Sequence, residues 1–190
     1  MASIVINDLE ARAAAAGGAI CVAYVYFRYS DVADLTIRDV FEILVKQTVE
    51  RHLECAFLAE QAYARHLHEK TQPTEAELFQ LLHQCTETLP ATFYVLEALD
   101  EAPERLQVDL VTKLASLNVR LFITSRPLKS VEGRVPNLCS FVIVAQEGDL
   151  DLHIEQEISR SRDLQGLLEE EEPSFKDEIV STVKKNCGGM

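Results

Sequence analysis

The sequence predicts an α/β fold in which a parallel β-sheet lies between layers of helices, with a helical appendage after it. Short apolar segments rich in aromatic and β-branched residues alternate with amphipathic segments of helical period. Such alternation is typical of parallel strands joined by crossover helices. Beyond Asp149 only the helical period remains. We therefore expect an α/β domain at residues 1–146 and the start of a helical subdomain at residues 147–190.

The first half of the predicted α/β domain contains four helices and one strand. The first helix ends at a glycine pair, a common helix stop, and the strand after it is continuously apolar, as expected of a buried strand. Before the last helix, Thr74 and Glu77 form a capping box, in which each side chain binds a free amide of the first turn. The expected elements are a helix at 3–16, a strand at 19–27 and helices at 35–52, 55–70 and from 75 onward.

The second half of the domain is dominated by strands. Short apolar segments predict strands at 93–99, 119–125 and 140–145. A helix is expected to start at Pro103, a residue favoured in the first helical turn, and to end at Leu117.

Composition limits the partners of the protein. Acidic residues exceed basic ones, so that the net charge is −13 at pH 7. A nucleic acid or an acidic membrane needs a basic protein face, and no cluster of lysine and arginine offers one. No apolar segment is long enough to span a bilayer, and the five cysteines form no CxxC pair, as suits reduced thiols. We expect a cytoplasmic protein without nucleic-acid or membrane partners.

A group of carboxylates follows the predicted strand at 93–99. Glu97, Asp100 and Glu101 lie at its carboxyl end, where open parallel sheets bind ligands. A nucleotide-bound Mg²⁺ needs one or two carboxylates, and an attacking water needs another to orient it or to take its proton. Taken alone, the same residues also fit a solvated acidic turn.

Polar residues also end the next strand, where LFITSRP places Thr124, Ser125 and Arg126. If this strand lies beside the previous one, Arg126 faces the same crevice. Its guanidinium can then bind a terminal phosphate through forked, charge-assisted bonds. The alternative is an arginine paired with a nearby glutamate. Two polar clusters at the same end of successive strands favour a phosphate site.

The two motifs LEALDEAPE and LFITSRPL together resemble the second half of a NACHT domain. NACHT domains belong to the STAND group of P-loop signalling NTPases, and the chain is most similar to the fungal members with a nephrocystin-3-like N-terminal domain. The resemblance covers the whole chain. It implies a P-loop NTPase-like three-layer sandwich, ATP or GTP with Mg²⁺ as cofactor, and control of oligomerisation by nucleotide exchange and hydrolysis.

The resemblance also implies roles for individual residues. Glu97, where the family usually has aspartate, ends the Walker B strand and holds the metal ion together with Asp100. Glu101 activates the attacking water, with Asp100 beside it. Arg126 matches the sensor arginine of the family. Thr124 and Ser125, which precede it, complete the implied nucleotide contacts.

One part of the family pattern is missing from the sequence. No GxxxxGK[ST] motif occurs, and the glycine pair at 17–18 follows a helix instead of opening one. In the family, this loop binds phosphates through its backbone amides and its lysine, and it precedes a helix like the one at 3–16. We therefore expect a fragment that begins just after the Walker A loop and lacks the first strand. Such a fragment binds nucleotide weakly or not at all and is inactive alone.

The sequence also allows two alternatives. The chain can be a non-catalytic interaction module, in which an open sheet edge pairs with another chain or the acidic helices bind a basic partner. It can also be an incomplete gene product. Protein partners or self-association are expected in either functional interpretation.

Overall fold

The structure is a computed structural model that describes residues 2–28, 35–128, 131, 135, 138–143, 147–170 and 173–187. Contacts divide the chain into two units, Met1–Leu138 and Cys139–Met190. The first unit contains the sheet, and the described part of the second is mainly helical.

Helices and strands alternate in the predicted order along most of the chain. In the first unit they are α1 (Ala2–Ala15), β1 (Ile20–Tyr26), α2 (Ile37–Arg51), α3 (Leu53–Glu69), α4 (Glu75–Thr88), β2 (Ala91–Glu97), the 3-10 turn Leu99–Glu101, α5 (Glu104–Ala115) and β3 (Arg120–Ile123). In the second unit they are α6 (Glu147–Arg160), α7 (Arg162–Glu170) and α8 (Pro173–Cys187). The α/β order of the first unit and the helical character after Asp149 are confirmed. None of the helices in the described ranges is long and apolar enough to cross a membrane.

The sheet is parallel, as predicted, with β2 between β1 and β3. The register places Tyr26 of β1 beside Glu97 of β2, and Leu96 of β2 beside Ile123 of β3. Because parallel strands end at the same edge of a sheet, the residues that follow β2 and β3 are brought together.

Helices cover both faces of the sheet. On one face α1 packs Ile6 and Leu9 against Val22 and Val95. On the other face α2, α4 and α5 share a larger core with β1 and β2, and α3 packs against α2 and α4. The largest fully buried side chains of this second core include Phe41, Leu44, Leu82, Tyr94, Leu96, Leu99, Leu110 and Leu114. Removal of this apolar surface from water is the main force that holds the layers together.

The outer edge of β1 is closed by side chains of α2. The Tyr24 N–H donates to Oε1 of Gln47 at 3.1 Å, and Nε2 of Gln47 donates to the Tyr24 carbonyl at 2.8 Å. Nη1 of Arg51 donates to the Val22 carbonyl at 2.8 Å. These bonds occupy backbone groups that would otherwise be free to pair with another strand. By contrast, no described residue pairs with the outer edge of β3.

The predicted strand at 140–145 is wrong for the residues that the structure describes. Residues 138–143 form neither helix nor strand. Phe141, Val142 and Ile143 are 82%, 84% and 60% exposed, and residues 144–146 lie outside the described ranges. A strand needs a neighbour for its N–H and C=O groups, and β-propensity alone does not supply one.

The capping box predicted at Thr74 is confirmed. Its hydroxyl accepts a hydrogen bond from the Glu77 N–H at 3.3 Å, and the Glu77 carboxylate accepts one from the Thr74 N–H at 2.8 Å. A second capping box, between Thr36 and Asp39 at the start of α2, was not predicted.

Replacing Thr74 by alanine is expected to lower the free energy of unfolding by about 1 kcal/mol, because the hydroxyl that accepts from the Glu77 N–H is lost while the backbone N–H of residue 74 remains. Urea denaturation followed by circular dichroism measures the change. Thr88→Ala is the control at the other end of α4, where the hydroxyl only returns a bond to the Gln84 carbonyl. An equal loss in both variants would contradict the assignment of the effect to the cap.

Candidate functional site

The candidate site lies where β2 and β3 end, and Thr124 ties the two strand ends together. Its N–H donates to the Leu96 carbonyl at 2.9 Å, and its carbonyl accepts from the Leu99 N–H at 3.1 Å. Its hydroxyl accepts from the Ala98 N–H at 3.1 Å. Thr124 therefore fixes the turn that carries the carboxylates, while its own hydroxyl proton stays available to a further acceptor.

A left-handed residue shapes the turn after β2. Ala98 has φ 57° and ψ 44°, a conformation that costs a non-glycine residue about 1–3 kcal/mol. It redirects the chain from β2 into the 3-10 turn, where Leu99 is fully buried. The strained residue and the buried anchor together aim Asp100 and Glu101 toward the end of β3.

Arg126 lies against the two carboxylates of this turn. Its Nε is 2.5 Å from Oδ2 of Asp100, and its Nη2 is 3.2 Å from Oε1 of Glu101. Its backbone N–H donates to Oδ1 of Asp100 at 3.1 Å. The Arg126 side chain is 72% exposed, whereas those of Asp100 and Glu101 are 13% and 29% exposed. The structure thus brings together three of the predicted site residues, in the ion-paired arrangement that the sequence left as an alternative.

The pairing sets the charge state of these groups. Burial acts to raise the pKa of Asp100, but hydrogen bonds from the Arg126 side chain and backbone N–H outweigh it, and the pKa lies below its usual value. The bond to Asp100 and the charge of Glu101 raise the pKa of Arg126. The Asp100–Arg126 pair is therefore ionised at neutral pH, and any anion that binds Arg126 must compete with the two carboxylates.

Glu97 and Ser125 lie outside this ion-paired network. Glu97 is half-buried at the last position of β2, and among the described residues it forms no ion pair. Ser125 is exposed. Glu97 has a neighbour that the sequence did not predict, because the strand register places Tyr26 beside it. Partial burial raises the pKa of Tyr26 above its usual value, and the Glu97 carboxylate adds to this shift.

The described residues contain no cluster of three or more histidine, cysteine, aspartate or glutamate side chains that could hold a metal ion. The carboxylates at this edge are therefore arranged as one pair, Asp100 and Glu101, with Glu97 apart from it. A Mg²⁺ that arrives with a nucleotide needs only one or two protein carboxylates, because phosphate oxygens and waters complete its octahedral shell.

Comparison with known protein families gives a match over more than half of the chain. Residues 1–126 match the family model described as "Nephrocystin 3, N-terminal". The matched region contains the three strands that the structure describes and ends at Arg126, so it includes the whole candidate site. No curated protein and no solved structure matches the chain.

Proposed function

The chain belongs to the nephrocystin 3 N-terminal family, and we propose that it carries the acidic half of the nucleotide site of a NACHT-type STAND signalling NTPase. In this proposal Glu97 and Asp100 hold the Mg²⁺ of ATP or GTP. Glu101, with Asp100, orients the attacking water, and Arg126 binds the terminal phosphate beside Thr124 and Ser125. The sheet is then a P-loop NTPase-like sandwich.

The network of Asp100, Glu101 and Arg126 is the observation that carries this proposal. It combines two carboxylates and an arginine at the carboxyl edge of a parallel sheet, where such sheets bind ligands. The turn that presents the carboxylates contains Ala98, a strained residue of the kind that clusters at functional sites. A purely structural surface ion pair contributes little to stability and does not require such a turn.

The charges suggest how the site responds to a nucleotide. Without a ligand, Arg126 holds Asp100 and Glu101 and neutralises part of their charge. A terminal phosphate that takes the guanidinium of Arg126 releases Asp100 for the metal ion and Glu101 for the water. When bound, Mg²⁺ neutralises charge that develops on the phosphates. Arg126 thereby couples phosphate binding to the availability of the carboxylates.

Helix α1 supports a phosphate position at the same edge. Only residues 16–19 connect α1 to β1, with Gly17 and Gly18 at positive φ, and α1 packs on the sheet. So short a connection between two packed elements requires α1 to run antiparallel to β1. The amino end of α1 therefore points toward the carboxyl edge of the sheet and brings the positive end of its dipole there. The 190 residues contain no GxxxxGK[ST] loop, so the amides and lysine of such a loop are not among the groups available. We expect nucleotide binding by this chain alone to be weak, and hydrolysis to be absent.

Thermal unfolding in millimolar Mg·ATP or Mg·GTP tests the proposal. We expect the melting temperature to rise by about 1–2 °C when the nucleotide concentration approaches the dissociation constant. The rise should vanish in Arg126→Ala, which removes the phosphate ligand. Arg105→Ala is the matched control, since Arg105 is 94% exposed and pairs only weakly with Asp109 in its own helix. Equal shifts in wild type and Arg126→Ala, or no shift in wild type, would reject the proposed site.

A second candidate function follows from the open edge of β3. Since no described residue pairs with that edge, the chain has the feature that β-strand addition uses, and it can act as a non-catalytic interaction module. In that case capture of a protein partner should be the same for wild type, Glu101→Gln and Arg126→Ala. Loss of capture in either variant would instead tie partner binding to the nucleotide site.

A further inference from the structure

The outer face of α3 carries an apolar stripe that no described part of the chain covers. The four large side chains of the stripe, Leu53, Phe57, Tyr63 and Leu67, are 70%, 61%, 66% and 66% exposed. With about 100° between successive residues of a helix, they fall within an arc of about 120°. The opposite face of α3 packs against α2 and α4. Four large apolar side chains grouped on one exposed helix face indicate an interaction site, although Glu60 lies among them.

The apolar residues of the stripe have nearly the same spacing in both directions from the middle of the helix. In LECAFLAEQAYARHL, Leu53 and Leu67 lie seven residues before and after Glu60. Phe57 and Tyr63 lie three residues on either side of it, and an alanine lies four residues away on each side. Glu60 itself lies at the centre of the arc. A surface with this symmetry is complementary to its own copy when two helices run antiparallel, as a two-fold interface requires.

We propose that α3 pairs antiparallel with α3 of a second copy of this chain, across a two-fold axis that passes near Glu60. Leu53 of one copy then packs against Leu67 of the other, and Phe57 packs against Tyr63. The self-complementary order of the apolar residues is what selects a second copy over an unrelated partner. This inference does not rest on the proposed nucleotide site.

Charge and size both indicate a weak dimer. The axis brings two Glu60 carboxylates together, and each copy carries a net charge of −13, so electrostatic repulsion opposes association. The antiparallel arrangement offsets part of this, because the dipoles of the two helices then point in opposite directions. A helix of this length is about 25 Å long, and the buried area falls near the lower limit of about 1,000 Å² for specific interfaces.

Sedimentation of the full chain from about 1 to 100 µM tests the proposal. We expect a monomer–dimer equilibrium that shifts toward dimer at about 1 M salt, where charges are screened. Phe57→Glu and Leu67→Glu should weaken the dimer at least about tenfold, and Glu60→Gln should strengthen it. Ile4→Glu is the control, an equally exposed apolar position on α1. Circular dichroism checks that each variant is folded.

Cross-linking tests the position of the axis. In a background with Cys139 and Cys187 replaced by serine, Glu60→Cys should form a disulfide-linked dimer with oxidised glutathione, since residue 60 meets its own copy. Gln61→Cys, about 100° around the helix, should form it much less readily. A chain that stays monomeric at every concentration, a dimer unaffected by Phe57→Glu and Leu67→Glu, or equal cross-linking at 60 and 61 would overturn the proposal.

Discussion

Replacing Leu99 by alanine is expected to lower the free energy of unfolding by about 2–5 kcal/mol, the range found for buried leucines. Leu99 is fully buried in the larger core, which α2, α4 and α5 share with β1 and β2. It lies there although it belongs to a three-residue 3-10 turn. Its N–H also donates to the Thr124 carbonyl at 3.1 Å. The substitution therefore leaves a cavity directly beneath the carboxylates, and urea denaturation measures its cost.

The same substitution should disturb the candidate site, because Leu99 is the anchor that holds Asp100 and Glu101 against Arg126. In NMR spectra, the Nε–H resonance of Arg126 can be assigned because it is lost in Arg126→Ala. We expect its chemical shift in Leu99→Ala to move toward that of a free guanidinium. Ile4→Ala removes a leucine-sized side chain that is 73% exposed, and it should change stability by less than about 0.5 kcal/mol. A small effect of Leu99→Ala would mean that the turn is held by its hydrogen bonds alone.

The helices and the parallel strands were predictable because the apolar residues repeat with the period of each element. The core face of α2, at Val40, Phe41, Leu44 and Val45, follows the helical period, and β1 is continuously apolar, as expected of a buried parallel strand. The segment at 140–145 has the same composition, yet residues 140–143 form no strand. A local sequence pattern indicates that a segment can form a strand, but it does not indicate whether a neighbouring strand is present to pair with it.

The candidate site was predictable only in outline. Its location followed from the rule that polar residues at strand ends meet at one edge of a parallel sheet. The rule did not predict that Glu97 would lie apart from Asp100 and Glu101. The left-handed turn at Ala98 separates them, and an alanine in the sequence does not indicate that conformation. The Tyr26–Glu97 contact depends on strand register, which involves residues far apart in sequence. The capping box at Thr36 was not predicted either, but its spacing to Asp39 is the usual one and could have indicated it.

Replacing Gln47 by alanine is expected to lower the free energy of unfolding by about 1–3 kcal/mol, because two part-buried hydrogen bonds of about 0.5–1.5 kcal/mol each are lost. The Gln47 amide satisfies both the N–H and the C=O of Tyr24 at 3.1 and 2.8 Å and so acts as a neighbour strand would. Gln47→Glu should fall between wild type and alanine, since a carboxylate still accepts from the N–H but has no proton for the carbonyl.

The physical reason for the Gln47 prediction is that the sheet has two outer edges and α2 closes one of them. Without Gln47 the edge of β1 presents free backbone groups beside Tyr24, and such an edge promotes association with other strands. We therefore expect Gln47→Ala to aggregate at a lower temperature than wild type, measured by light scattering during thermal unfolding. Lys46→Ala, one position along α2 and 72% exposed, should match wild type in both measurements. If Gln47→Ala also matches wild type, water replaces the amide at this edge, and α2 closes β1 by packing rather than by hydrogen bonds.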